Sequence, residues 1–228
     1  MLKLDRSRIA APDCLAKYDY RIHDWQDFKG ACKKQLRFAL FQLQGIEGTT
    51  TQDASEYGLR CAYCESAIYD EGHIEHFRRK NPQHFPELTF EWGNLFLACG
   101  ANTHCVHYKD RPSAAAYNPN HLLKPDEHDP SSFLYFHSSG EVRANCTLND
   151  NDKGRAQETI RVFGLNDATL RGARAKAVRS YSKMKEEDFE ILALLDEAEL
   201  ESYFQSEVAA TRWQPHATAI RHYLLNAV

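Results

Sequence analysis

The chain has 228 residues, with 28 Lys and Arg against 32 Asp and Glu and a formal net charge of -4. That balance excludes a protein that holds nucleic acid by bulk positive charge, while leaving a local basic face open. At 43% hydrophobic and 26% charged the composition is that of a folded globular chain. No run of about 18 apolar residues is long enough to span a bilayer. The first residues, Met1-Leu2-Lys3-Leu4-Asp5-Arg6, lack the apolar core of a signal peptide, so the expectation is a cytoplasmic protein with no membrane partner.

Residues 1–23 hold Pro12, scattered charges and no clear period, which predicts an extended lead-in. From Asp24 to Gly45 the residues Trp25, Phe28, Cys32, Leu36, Leu40 and Leu43 recur at three- and four-residue spacing. That is one stripe of an amphipathic helix, with Gly45 as its stop. Gln52 to Tyr57 is a short polar approach to the first cysteine pair. Residues 60–110 are rich in His, Cys, Pro, Gly and aromatics, with a predicted strand around His73–Phe77 and a short helix starting near Asn94. A turn-rich connector follows Pro112, passes Asn118-Pro119 and runs to Pro130. Phe133–His137 and Glu141–Ala144 flank Ser138-Ser139-Gly140, which predicts a hairpin with glycine at its turn. From Lys153 onward the pattern is helical: Ala156–Phe163, a break at Gly164, a long helix capped by Asn166 and running through Lys185, then Glu197–Ala209 and Pro215–Leu225. The expected division is a lead-in and helix over 1–50, a cysteine-histidine core over 51–125, and a hairpin with helices over 126–228, an α+β chain. Arg171, Arg174, Lys176, Arg179, Lys183 and Lys185 form a run without acids, and Glu186–Glu201 an acidic run without bases. The basic run reads either as a solvated helix face or as a phosphate-contacting stripe, the acidic one as a partner surface.

The most specific signal is the cysteine spacing. Cys61 and Cys64 form a Cys-x2-Cys pair, and Cys99 and Cys105 a looser Cys-x5-Cys pair. Four thiolates so arranged predict a closed, structural zinc rather than a disulfide framework. His104 is placed to replace one thiolate, while Cys14, Cys32 and Cys146 are left as free, buried thiols. A segment this small cannot hold itself by apolar burial, whereas structural zinc supplies an apparent ~10–16 kcal/mol.

Between the two cysteine pairs lie His73, Glu75, His76 and Asn94. Phosphodiester cleavage needs a base to take a proton from water, a cation to offset charge building on the phosphate, and a group to aim the base. Neighbours on a strand point to opposite sides, so Glu75 can turn to a metal while His76 faces the scissile phosphate. His73 is an alternative ligand and His107 a second one. Asn94 would hold the His76 ring or brace the loop between them. Lys109 and Arg111 are candidates for contacts to phosphate oxygens.

Arg60-Cys61-Ala62-Tyr63-Cys64-Glu65, His73-Ile74-Glu75-His76-Phe77-Arg78, Trp92-Gly93-Asn94-Leu95-Phe96-Leu97-Ala98-Cys99 and His104-Cys105 through Lys109-Asp110 together resemble HNH (ββα-metal) endonucleases. More narrowly they resemble the PtuB-like HNH proteins of Septu and retron anti-phage systems. The resemblance implies a zinc-stapled ββα-metal core, with His76 as general base, Glu75 as ligand of a catalytic Mg2+ or Mn2+, and Asn94 as the middle residue of the triad. It also implies nucleic acid as substrate, with Arg78 joining the basic contacts, and a PtuA-like ATPase as partner. One position departs from the pattern: Val106 stands directly after Cys105, where many members carry histidine, and His107 comes one place later. Either the turn shifts to bring His107 to the ion, or Glu75 and water hold it with help from Asp110. The competing expectation is a non-catalytic zinc module that binds nucleic acid or protein.

Overall fold

The computed structural model describes residues 1–45, 59–68, 72–187, 192 and 194–225. The polar approach Gln52–Tyr57 lies outside the described residues, as does part of the acidic run Glu186–Glu201. Among the described residues the chain forms three two-stranded antiparallel sheets set among helices, an α+β arrangement.

The first 23 residues are not an extended lead-in. Two 3-10 turns, Arg6–Arg8 and Asp13–Lys17, fold them against the core, with Met1, Leu4 and Leu15 buried. Arg6 pairs with Asp126, donates to the Leu95 carbonyl at 2.8 Å, and lies over the Trp92 and Phe96 rings. Apolar residues placed by short turns carry no period, so the sequence pattern is blind to them. Helix α1 is Gly30–Gln44, stopped at Gly45 as expected but starting after Trp25 and Phe28, which sit in the preceding turn. Its inner face buries Leu36, Leu40 and Leu43, each contributing about 1.5–3 kcal/mol by burial. At its end Gln44, itself buried, donates to the Arg60 and Leu97 carbonyls and accepts from the Leu97 amide at 2.6 Å. Cys32 on α1 is bonded to Cys14, and Cys146 is exposed, so the expected three free, buried thiols are not found. Pairing across 18 residues depends on how the intervening turn folds, which spacing does not encode.

Strands β1 (Leu59–Arg60) and β2 (Ala67–Ile68) flank the first cysteine pair. Strand β3 (His73–His76) pairs with β4 (Leu95–Ala98), setting Glu75 opposite Phe96 and His76 opposite Leu95. The helix expected near Asn94 is instead a 3-10 turn, Trp92–Asn94, leading into β4. All four residues of β4 are buried, and a short apolar run with two buried faces has no alternation to distinguish it from a helix. Helix α2 (Cys105–Lys109) follows, so the order is strand, strand, helix.

Beyond a single helical turn α3 (Pro130–Phe133), strands β5 (Leu134–Phe136) and β6 (Val142–Ala144) make the expected hairpin. Gly140 is required at its turn: its φ is +81°, and a Cβ there would lie 2.0 Å from the Arg171 carbonyl oxygen. Helix α4 spans Asp150–Val162, capped by Asn149, and starts earlier than its apolar period showed. Helix α5 spans Ala168–Glu187, with Asp167 rather than Asn166 accepting from its first amides. Asn166 instead bonds both backbone groups of Val142 at 2.8 Å, tying the hairpin to the helices. Helices α6 (Glu197–Ala210), with a capping box from Asp196 and Glu199, and α7 (Ala217–Leu225) complete the described chain.

Candidate functional site

The four predicted cysteines converge. Cys61 and Cys105 have Sγ atoms 3.8 Å apart, Cys64 and Cys99 3.7 Å apart, and all four sulfurs lie within 4.8 Å of one another. Thiolates about 2.3 Å from a tetrahedral zinc stand about 3.8 Å from each other, whereas a disulfide needs about 2.05 Å. The quartet is therefore close enough to hold a metal ion, and its spacing fits zinc. The backbone is built for it: Glu65 and Cys105 take positive φ of 63° and 58°, which costs side-chain-bearing residues about 1–2 kcal/mol each. Burial pushes the Cys61 and Cys105 thiols well up, while hydrogen bonding from Cys105 holds Cys99 at about 6. His104 is not one of the four converging ligands but lies against them: hydrogen bonding to Cys64 and then Cys99 raises its pKa to about 10, while its Nδ1 faces Thr103 and Asp167.

Long-range contacts support the knot. The Cys105 amide donates to the Phe163 carbonyl at 2.8 Å. His216, at the start of α7, donates from Nδ1 to the Cys64 carbonyl at 3.0 Å and from its amide to the Glu65 carbonyl. Sequence reasoning missed His216 because nothing local to Pro215-His216 connects it to a cysteine 152 residues away. Arg174 also leaves its predicted stripe: its guanidinium is buried and donates to the Gly140 and Leu165 carbonyls.

Beside the knot, β3, α2 and the turn after α2 border a cavity of about 680 Å³ lined by His73, Glu75, His76, His107 and Asp110. The loop before α1 and α1 itself supply Trp25, Lys29 and Lys33, and the loop after β3 supplies Arg79 and Lys80. With Arg111 that makes five cationic side chains against two carboxylates, a field that concentrates anions. His76 is 4% exposed, its ring edge-on to Trp25 at 4.4 Å, with Nε2 2.9 Å from the Thr89 carbonyl. A carbonyl only accepts, so Nε2 carries the hydrogen and Nδ1 keeps a free lone pair. Burial, then the neighbouring Lys80, lowers the His76 pKa to about 3, so the ring is neutral at physiological pH.

Asn94 does not touch the His76 ring. Its amide donates to the Arg78 and Leu88 carbonyls at 3.0 and 3.1 Å, and its oxygen accepts from the Arg78 amide at 2.8 Å. It braces the loop from β3 to β4, including Leu88, which precedes the carbonyl that fixes His76. That is a positioning role, one of the two expected for it.

Lys109 is in the interior rather than on a phosphate-contacting surface. Its ammonium, fully buried, lies 2.9 Å from Glu75 Oε1, 2.8 and 3.0 Å from the two Asp110 oxygens, and 3.2 Å from the His76 carbonyl. Burial opposes its charge, yet Glu75 and Asp110 hold its pKa above the usual lysine value. Glu75 is pushed up to about 7 by burial, against the pull of Lys109 and with Asp110 adding to the rise. One ammonium thus offsets two carboxylates. Arg78 donates to Asn120 and stacks over Phe85, away from the cavity lining. Of the three basic residues expected at phosphate, Arg111 alone lines the cavity, its guanidinium 3.8 Å over Tyr108.

Rings of His73 and His107 face each other at 5.2 Å. Among the described residues, however, the cysteine quartet is the only set of three or more His, Cys, Asp or Glu ligand atoms within 4.8 Å of one another. Glu75 and His107, expected to share a catalytic ion, are not assembled into a ligand set. Lys29, Lys33 and Lys80 were missed in the sequence; the i, i+4 spacing of Lys29 and Lys33 was the one available signal. No protein-family model matches the chain, and no curated protein matches it.

Proposed function

We propose that this protein is an HNH-type metal-dependent endonuclease that hydrolyses phosphodiester bonds in nucleic acid, with zinc in the cysteine quartet as a structural staple. The observation that carries the reading is His76. It ends a strand of an antiparallel pair followed by a helix, with Nε2 committed to a backbone carbonyl and Nδ1 left as the only basic atom of a neutral ring in a cationic cavity. A neutral imidazole with a fixed tautomer can take a proton from water at Nδ1 as the oxygen attacks phosphorus. Lys29, Lys33, Lys80 and Arg111 would hold the phosphates on either side. Zinc, closed by four thiolates, supplies cross-linking and no open position for chemistry. An activating Mg2+ or Mn2+ belongs to the reading, but no step is assigned through it because its ligands are not preassembled. The resemblance extends the proposal to an anti-phage effector of the PtuB-like kind, working in the cytoplasm with a PtuA-like ATPase.

The test is cleavage of plasmid DNA, single-stranded DNA and total RNA with Mg2+ or Mn2+, with and without the ATPase, comparing the parent with His76→Ala after matching zinc content and melting temperature. Loss of about 10²-fold or more is expected for removal of a general base; equal rates would refute the assignment. The non-catalytic zinc module stays as a second reading because Glu75 is engaged by Lys109. It is favoured if no condition gives turnover while zinc is bound.

A further inference from the structure

The cavity does not fit a divalent cation. Its two carboxylates are already engaged: Glu75 lies 2.9 Å from the buried Lys109 ammonium, and Asp110 binds that ammonium at 2.8 and 3.0 Å and the Arg79 Nε at 2.9 Å. Five cationic side chains share the lining, and among the described residues no three ligand atoms gather there. A dication would enter against that charge with no free oxygen ligands to hold it. The same wall offers what an anion needs. Lys33 and Lys80 line it, half-buried, their ammonium groups 5.8 and 5.7 Å from the centroid of the Trp25 ring. Neither forms an ion pair with a carboxylate among the described residues. Close by, the His73 and His107 rings stand 5.2 Å apart, and burial first, then the charges of His107, Lys80, Arg37 and Lys33, lower the His73 pKa. Like charge is thus crowded around one point, and an oxyanion placed there relieves it.

We infer that this chain holds a phosphate group in the cavity without a divalent ion: Lys33 and Lys80 supply the charge, His73 and His107 the ring donors, and Lys109 is the built-in cation of Glu75 and Asp110. With their charge offset from behind, the two carboxylates do not repel the anion in front of them. The inference rests on the reading of the cavity as a phosphate site and narrows it. Phosphate binding precedes any role of Mg2+ or Mn2+, and dependence of cleavage on either ion arises only after nucleic acid is bound. Failure to cleave nucleic acid leaves the binding untouched, whereas cleavage combined with phosphate binding that needs a divalent ion sinks this inference alone.

The experiment uses the full zinc-loaded chain, freed of other divalent ions on a chelating resin, with inorganic phosphate as probe. Affinity is read by calorimetry and the site by the ¹⁵N signals of the His73 and His107 rings. With no divalent ion added, phosphate is expected to bind, to move both ring signals and to raise the melting temperature; Mg2+ is expected to leave the affinity within about twofold. Lys33→Gln and Lys80→Gln should each weaken binding about threefold and the double variant about tenfold, while Lys34→Gln, exposed on the same helix and outside the cavity lining, leaves it unchanged. Phosphate binding that is absent without Mg2+ or Mn2+, or that either ion tightens about fivefold or more, overturns the inference. So does parental affinity in the double variant at matched zinc content and melting temperature. A Mn2+ titration without phosphate, followed by electron paramagnetic resonance, checks the part assigned to Lys109: no stoichiometric site is expected, and one tightly bound Mn2+ per chain overturns it.

Discussion

Replacing Asn94 by alanine isolates the brace that sets the His76 environment. The amide makes three hydrogen bonds, two to the carbonyls of Arg78 and Leu88 and one from the Arg78 amide. Each is worth about 0.5–1.5 kcal/mol net, and more where the orphaned backbone group stays out of water. Asn94 is buried while Arg78 is half-buried, so water reaches some of the freed groups and the expected loss is about 3 kcal/mol. For a chain of this length that lowers the melting temperature by roughly 6–12 °C. Asn94→Asp keeps the acceptor and loses both donors, and should fall between parent and Asn94→Ala. Urea unfolding of the zinc-loaded protein measures both. Because Leu88 adjoins Thr89, loosening the loop also releases the carbonyl that fixes Nε2, and ¹⁵N NMR of the His76 ring should show the single tautomer giving way to a mixture. A loss under about 1 kcal/mol with an unchanged tautomer would refute the chain of support from Asn94 to His76.

The neutral, buried His76 makes stability acid-sensitive. Its folded pKa of about 3 lies below the unfolded value near 6.5, so the unfolded chain binds the extra proton. Its contribution is complete above pH 6.5 and falls away as pH drops from there toward 3, by up to about 5 kcal/mol. The difference in urea midpoint between parent and His76→Gln should therefore shrink or reverse between pH 7.5 and 4.5, and a constant difference counts against a buried neutral ring. Elemental analysis should find one zinc per chain, with Cys99→Ser releasing it and melting the segment from β1 to α2; four freely titrating thiols in a folded chain would rule the centre out. Reduction of Cys14–Cys32, separated by 18 residues, should cost about 3 kcal/mol in a calorimetric comparison with and without a phosphine reductant at constant zinc, and no shift would mean the bond is absent or idle.

What the sequence by itself determined is what short spacing controls. The two cysteine pairs announced a common metal-binding point. A strand was legible around His73–Phe77, and Gly140 sat where the hairpin turn needed it. The apolar stripe from Leu36 to Leu43 located α1, though not its start. Only the tertiary structure decided the rest. Lys109 reads as an exposed base beside Asp110, yet α2 packs on β3 and aims its ammonium at Glu75 and the His76 carbonyl, 33 residues back in the chain. Lys29 and Lys33 become a cavity wall because α1 lies across β4, holding it through Gln44. The sequence left Asn94 with two roles, holder of the His76 ring or brace of the loop, and only the fold chose the brace. In each case the local pattern names the residue type, while burial and partner depend on segments far away in sequence, and these change a charge from solvated to shared.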